Sequence, residues 1–253
     1  MSGILLVTGG SRGIGREVAL RAGARGWDVV VNYTTSHDAA EAVAAEIRAH
    51  GRRSIAVRAD VAKLDDVERL FATIDGEFGR LDGLVNNAGI GRSQGRFEDC
   101  RPEDLRETFE VNVFGLFYCS QAAVRRMSTK YGGAGGAIVN VSSAAARTGG
   151  VNAFIDYAAS KGAVDTITIG LAKELGPVGI RVNAVRPGVT ATEMLDHVRE
   201  SDAAWLDDVV QTMPMGRIGE VREIAEPILW LLSDEASYVT GTIIDASGGR
   251  ATP

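Results

Sequence analysis

Cysteine is nearly absent from this 253-residue chain: Cys100 and Cys119 are the only two, with neither CxxC spacing nor a histidine cluster nearby. That scarcity excludes a disulfide framework and a structural zinc site, so no metal is expected, and it fits a reducing compartment. Proline is also scarce, at 6 residues, which with the 45% hydrophobic content excludes collagen-like sequence and argues against long disordered linkers. There is no basic excess, since 27 Lys+Arg stand against 33 Asp+Glu. A nucleic-acid partner is therefore not expected, because a phosphate-backbone binder normally carries surplus positive charge. No window reaches 18 uninterrupted apolar residues, and the chain enters an apolar run directly after Met1 and Ser2 without a basic leader. The expectation is a mature cytoplasmic protein with no membrane span.

Glycine is plentiful, at 31 residues. Short β-branched runs alternate with Ala-rich stretches of helical period, the pattern of βαβ units and a parallel sheet. Strands are expected at Ile4–Thr8, Asp28–Asn32, Ser54–Arg58, Gly83–Asn86, Ala137–Ser142, Arg181–Val185 and Thr242–Asp245. Helices are expected at Ile14–Arg25, Asp38–His50, Leu64–Phe78, Glu103–Met127, Tyr157–Leu175 and Glu220–Leu232. Pro102 suits the first position of the fourth helix, and Gly51 and Gly176 suit the positions just after two others. The fold class is α/β: a single doubly wound Rossmann-type domain, residues 1–253, with a seven-stranded parallel sheet. Residues 132–136 read as a flexible helix-to-strand connection. The stretch from Thr190 to Met215 breaks the rhythm, with Met194, Leu195, Trp205, Met213 and Met215 among acids, and reads either as a helical cap on the sheet or as a substrate lid.

The first strand runs into Thr8-Gly9-Gly10-Ser11-Arg12-Gly13-Ile14-Gly15 and then a helix. Glycines let the backbone approach an anion, and a helix N-terminus supplies free N–H groups and partial positive charge. The spacing G-x-x-x-G-x-G differs from G-x-G-x-x-G, and no Lys-Ser or Lys-Thr follows, which excludes an ATP-type loop. At the end of the second strand, where an NAD site places an acid for the ribose, the sequence reads Asn32-Tyr33-Thr34-Thr35-Ser36. The missing carboxylate and the guanidinium of Arg12 favour the extra phosphate of NADP over NAD.

Tyr157 and Lys161 are four residues apart on one helical face. An ammonium near a phenol favours the phenolate and lowers its pKa. Ser142-Ser143 and Asn86-Asn87-Ala88-Gly89 close two strands at the edge where α/β ligand sites form, and Asn112 interrupts an apolar helix.

Together these features resemble the short-chain dehydrogenase/reductase family across essentially the whole chain. The matching marks are Thr8-Gly9-x-x-x-Gly13-x-Gly15, Asp60-Val61, Asn86-Asn87-Ala88-Gly89, Asn112, Ser143, Tyr157-x-x-x-Lys161 and Arg186-Pro187-Gly188. Within the family the chain resembles NADP-dependent 3-oxoacyl-[acyl carrier protein] reductases and related sugar and small-alcohol dehydrogenases. The resemblance implies hydride transfer between NADP(H) and a carbonyl or alcohol. Tyr157 would be the general acid/base and Lys161 its partner and a ribose ligand. Ser143 would bind the carbonyl oxygen, and Asn112 would hold a water. The Ser143-to-Tyr157 interval is one residue longer than usual, which leaves Ser142 or Ser143 open as the substrate-facing hydroxyl.

The cofactor set implied by the same resemblance begins with Gly9, Ser11, Gly13, Ile14 and Gly15 at the pyrophosphate side. Arg12, Tyr33 and Thr34 would serve the 2′-phosphate end, Asp60 and Val61 the adenine, and Asn87, Ala88 and Gly89 the adenosine ribose. Pro187, Gly188, Val189 and Thr192 would approach the nicotinamide, with Tyr157 and Lys161 completing the set. A homotetramer is implied too, with apolar Phe114, Leu116, Phe117, Ile167 and Ile169 compatible. Arg125, Arg126, Lys130 and Lys173 are the basic candidates for meeting an acidic carrier. The alternatives are a 3-oxoacyl-[acyl carrier protein] reductase specifically, a glucose-type 1-dehydrogenase, or a non-catalytic NADPH-binding regulator.

Overall fold

The computed structural model describes residues 3–92, 95–193, 195 and 203–251. Its strands are β1 (Ile4–Val7), β2 (Asp28–Tyr33), β3 (Ser54–Arg58), β4 (Gly83–Asn86), β5 (Gly136–Val141), β6 (Ile180–Pro187) and β7 (Ile243–Ala246). They form one sheet in the order β3-β2-β1-β4-β5-β6-β7, and every neighbouring pair is parallel. Every residue of β1 and β4 is buried. A strand covered on both faces reads as a continuous apolar run, which is why these short segments are legible without alternation.

The helices are α1 (Gly13–Ala24), α2 (His37–Ala49), α3 (Leu64–Phe78), α4 (Pro102–Phe109), α5 (Gly115–Met127), α6 (Ala145–Thr148), α7 (Ile155–Leu175), α8 (Ala203–Gln211) and α9 (Val221–Leu232). They cover the sheet in two layers. Leu5, Val7, Val29 and Val31 pack with α1, α2 and α9, whereas Leu6, Val30 and Ile138 pack with Phe71 of α3, Ala123 and Met127 of α5 and Leu175 of α7. The two sets alternate along each strand, because successive side chains of a strand point to opposite faces.

Three expectations need correction. The helix predicted over Glu103–Met127 is interrupted by a π-helical turn at Glu110–Phe114, so that α4 and α5 are separate segments. Gly176 does not end its helix in the left-handed conformation. The chain continues through a tight turn at Gly176–Val178, and Gly179, with φ of 79°, takes that role. The connection at 132–136 is not loose. A Cβ on Gly133 would collide with the backbone at Met127, and one on Gly135 with the carbonyl oxygen of Gly179. Pro102 and Gly51 stand as expected, the latter with φ of 76° just after α2.

Candidate active site

Because all strands run the same way, their C-terminal ends share one edge. The chain leaves β1 toward β2 on one side, while β4 continues the sheet on the other, which opens a crevice between them. Thr8 laces that crevice together. Its hydroxyl donates to the Val85 carbonyl (3.3 Å) and accepts from the backbone N–H groups of Asn87 and Ala88, both at 3.0 Å. The Asn87 amide in turn donates to the carbonyls of Thr8 (2.9 Å) and Gly9 (3.0 Å). On the other side Asn32 accepts from the Gly9 N–H (3.3 Å) and donates to the Ala59 carbonyl (3.0 Å). The ends of four strands are thus tied by buried side-chain bonds before any ligand is considered.

The glycine loop has the form a phosphate needs. Gly9 and Gly13 have φ of 62° and 53°, a region L side chains rarely occupy. A Cβ on Gly15 would run into the Gly9 carbonyl and the Asn87 amide, so a side chain there cannot coexist with this loop. At the N-terminus of α1, Arg12 forms no side-chain cap and the first turn holds no acid. Its free N–H groups and the dipole fit an anionic pyrophosphate, and the residues present therefore fit a dinucleotide.

Arg12 itself reaches across the loop to Glu193 (3.0 Å), with both side chains more than half exposed. Thr34 is exposed beyond β2, whereas the Tyr33 ring is buried and stands edge-on to His37. Arg58, which the sequence reading missed, donates to the Thr34 carbonyl at 3.2 Å. It pairs in register with Tyr33, so the signal that could have found it is its place at the end of the adjoining strand. Asp60 accepts from the Ala62 N–H (3.1 Å), and Val61 is buried against Gly115, where an added Cβ would lie 2.8 Å from its methyl carbon.

The first two turns of α7 carry Tyr157 and Lys161. Tyr157 is half-buried, hydrogen-bonds Ser143 and meets Phe154 edge to face at 6.3 Å. Gly91 lies over the same ring, where a Cβ would come within 3.5 Å, a residue that sequence reasoning did not single out. Lys161 is 4% exposed; its ammonium donates to the Val141 carbonyl at 2.8 Å and lies 5.6 Å from the Tyr157 ring centre. Burial pushes Lys161 down to about 8, with the charge of Asp165 opposing that fall. Burial also pushes the Tyr157 phenol above its ordinary value, and the Ser143 hydrogen bond pulls it back. Of these two effects on the phenol, desolvation is the larger.

The structure separates the two serines. Ser142 is 2% exposed and its hydroxyl donates to the Lys161 carbonyl (3.2 Å), facing the interior of the fold. Ser143 faces Tyr157, and its Oγ accepts from the Ala145 N–H at 3.1 Å. Asn112 sits in the π-helical turn with its side chain fully engaged. Nδ2 donates to the Ile90 carbonyl (2.8 Å) and Ser160 hydroxyl (3.0 Å), while Oδ1 accepts from the Ile90 N–H (2.8 Å). A cavity of about 10 Å³ beside it, lined by Thr8, Asn86, Asn112, Cys119 and Lys161 among others, has room for roughly one water.

Pro187, the last residue of β6, is buried, and just beyond it a Cβ on Gly188 would lie 2.7 Å from the Ser247 Cα. Val189 accepts at its carbonyl from the Gly219 N–H (3.0 Å), and a Cβ on Gly13 would meet the Thr192 methyl at 3.4 Å, so this segment lies against the glycine loop. Leu195 and Met213 are buried and Met215 is exposed, while Met194 and the side chain of Trp205 lie outside the described residues. Arg125 and Arg126 end α5 and Lys173 is near the end of α7, with Lys130 just beyond α5. These helices end where β5 and β6 begin, at the sheet edge opposite this site. Arg126 is moreover paired with Asp75 and stacked on Phe71.

A family model described as Enoyl-(Acyl carrier protein) reductase matches residues 9–251. The chain belongs to the short-chain dehydrogenase/reductase family. This member of that family is 47% identical over 247 residues to the uncharacterized oxidoreductase YgfF of Escherichia coli K12, covering 98% of this chain and 99% of that one. It is 39% identical to a 3-oxoacyl-[acyl-carrier-protein] reductase of Synechocystis, with 97% and 96% coverage. Among solved structures, a short chain dehydrogenase from Burkholderia cenocepacia in complex with NADP superposes with a TM-score of 0.88 at 40% identity, covering 97% and 96% of the two chains. A Serratia marcescens short-chain dehydrogenase/reductase mutant gives 0.90 at 35% identity, with 99% and 98% coverage. The short-chain dehydrogenase/reductase described here is thus an oxidoreductase with the fold expected from its sequence. No helix among its described residues is long and apolar enough to cross a membrane.

Proposed function

We propose that this enzyme reduces a carbonyl, or oxidises the corresponding alcohol, with NADP(H), using Tyr157 as general acid/base. The observation that carries the reading is the hydrogen-bonded Tyr157–Ser143 pair set above a buried Lys161 at the open end of the sheet. The dinucleotide, when bound, supplies or accepts the hydride. Ser143 donates a hydrogen bond to the substrate oxygen where negative charge grows. Tyr157 delivers its proton to that oxygen in reduction and removes it in oxidation. Lys161 supplies positive charge that eases deprotonation of the phenol and donates to the ribose hydroxyls. The side chain of Asn112 is committed to Ile90 and Ser160, so a water at this turn is held through the Asn112 backbone carbonyl and returns the proton from solvent.

For the 2′-phosphate we assign Arg12 and Thr34, with Arg58 beside them. The absence of an acid after β2 and the NADP bound by the Burkholderia relative support that choice. In binding, Arg12 exchanges Glu193 for the phosphate. The whole chain acts as one dinucleotide-binding unit in the cytoplasm, and residues 190–215 meet the substrate. The substrate is an acyl thioester, a sugar or a small alcohol or ketone; 39% identity to a 3-oxoacyl-[acyl-carrier-protein] reductase supports the first. Exposed Phe114, Phe117 and Ile169 on adjoining segments support a homotetramer built on that face, whereas Leu116 belongs to the core.

The test is steady-state kinetics with NADPH and NADH across acyl thioesters, ketones and aldoses, repeated with R12A. Loss of a charge-assisted phosphate contact of about 1.5–3 kcal/mol raises KM for NADPH roughly ten- to hundredfold and leaves NADH unchanged. Wild-type turnover with NADH alone overturns the assignment.

A further inference from the structure

Beside the candidate catalytic lysine runs a row of buried charge that the proposed chemistry does not use. Asp165 stands one turn beyond Lys161 on α7, and both side chains face the sheet, 8% and 4% exposed. From β6, Arg186, itself 8% exposed, directs Nε (2.9 Å) and Nη2 (2.8 Å) to the same carboxylate oxygen, Oδ2 of Asp165. Its Nη1 reaches Asp245 Oδ1 at 3.3 Å on β7, the residue with which Arg186 is in register. Read from the site outward, the order is Lys161, Asp165, Arg186, Asp245: positive, negative, positive, negative, with no net charge.

The second oxygen of Asp165, Oδ1, is buried and has no hydrogen-bond partner among the described residues. Leaving a buried carboxylate oxygen without a donor is costly, and one salt bridge does not generally repay the desolvation of both partners. A carboxylate placed this way is stabilised by the field of the cations on either side. The benefit is reciprocal: it makes the neighbouring ammonium easier to keep.

We propose that Asp165, held by Arg186 and braced through it by Asp245, is a positioning residue that keeps Lys161 in its ammonium form. The proposal rests on the reading of Lys161 as the partner of Tyr157. The groups that share the surroundings of Lys161 leave Asp165 as its counter-charge. On α7 the other titratable neighbour is Tyr157, neutral because burial raises it. From α5, Cys119 lines the same cavity and stays a thiol, pushed up to about 12 by burial. Thr8, Asn86 and Asn112 of the same cavity carry no charge. Burial alone drives Lys161 toward the neutral amine, and Asp165 is what opposes it.

The row predicts signs as well as sizes. In D165N Lys161 loses its nearest counter-charge. In D245N the row becomes net positive, which acts in the same direction from farther away. In R186Q the row loses a cation and becomes net negative, and the Lys161 proton is held more firmly. The chain has four lysines, Lys63, Lys130, Lys161 and Lys173. Lysine labelled with ¹³C at Cε therefore gives a spectrum in which K161R identifies the Lys161 signal, and its titration is read without turnover. The wild-type midpoint falls near 8. D165N lowers it by about one pH unit, D245N lowers it by less, and R186Q raises it. The high-pH limb of the kcat profile moves in the same three directions.

A midpoint unmoved in D165N, or three variants shifting the same way, overturns the proposal, because a merely structural role lowers Tm without ordering the signs. Should D165N fail to fold, D245N and R186Q still carry the opposite-sign test. Full turnover in Y157F defeats the catalytic reading while leaving the lysine titrations intact, so the two failures are distinguishable.

Discussion

At the residue scale, the site divides adjacent residues of one type into different jobs. Ser142 and Ser143 are indistinguishable as letters, and the interval to Tyr157 left both open. The pleat of β5 and the turn beyond it decide, sending Ser142 back to the Lys161 carbonyl and Ser143 toward the phenol. S143A is therefore expected to lower kcat by roughly 10²- to 10³-fold, the cost of one oxyanion donor, with little change in Tm. S142A is expected to retain turnover within a few-fold while losing about 1 kcal/mol of stability, measured by denaturant unfolding, for its buried hydrogen bond. Equal kinetic losses in both would mean that the serine nearest the chemistry is not set by this geometry. Tyr157, Lys161, Asn112 and the glycines were legible because their types and spacings are unusual. Arg58, Gly91 and Glu193 were not, because each matters through a contact with a residue far away in the sequence.

At the scale of elements, all seven strands were legible, since parallel strands covered on both faces appear as apolar runs between polar turns, and even the half-buried edge strands β3 and β7 keep their β-branched residues. Their bounds moved by a residue or two, β6 most, where Arg186 and Pro187 continue the ladder beyond the apolar run. The π-helical turn at Glu110–Phe114 was not legible. One extra residue in the hydrogen-bonding cycle leaves the apolar spacing of Val111, Val113 and Leu116 nearly helical, and the sequence pattern runs on through it. That turn matters because it is what sets Asn112 against Ile90 and Ser160. The glycine loop behaves as a unit with α1, and Gly15 is its tightest point. In G15A the added methyl must displace either the Gly9 carbonyl or the Asn87 amide. A loss of about 1–3 kcal/mol in denaturant unfolding is expected, together with at least tenfold weaker NADPH binding by fluorescence titration. Wild-type affinity in G15A would show that the loop is not the phosphate cradle.

At the scale of the molecule, the sheet brings together at one edge residues that are distant in sequence, and both faces are covered by helices, so the site is built on a rigid frame. Phe114 and Ile169 expose 48% and 42% of their surface on segments that pack against each other, an apolar face a single chain does not cover. Size-exclusion chromatography with light scattering is expected to give the mass of four chains, and F117E/I169E to give smaller species; a wild-type monomer at micromolar concentration would contradict the assembly. The charge row from Lys161 to Asp245 links the last strand of the sheet to the N-terminal half of α7, which on the proposal above makes the outer strand part of the chemistry's electrostatics. The central claim is that the Tyr157 phenol carries the proton. It is tested most directly by following NADPH oxidation at 340 nm in Y157F on a substrate that the wild type reduces, beside a binding titration of the same variant. Turnover reduced at least a thousandfold with NADPH affinity within threefold of wild type is the expected result; substantial turnover in Y157F would contradict it.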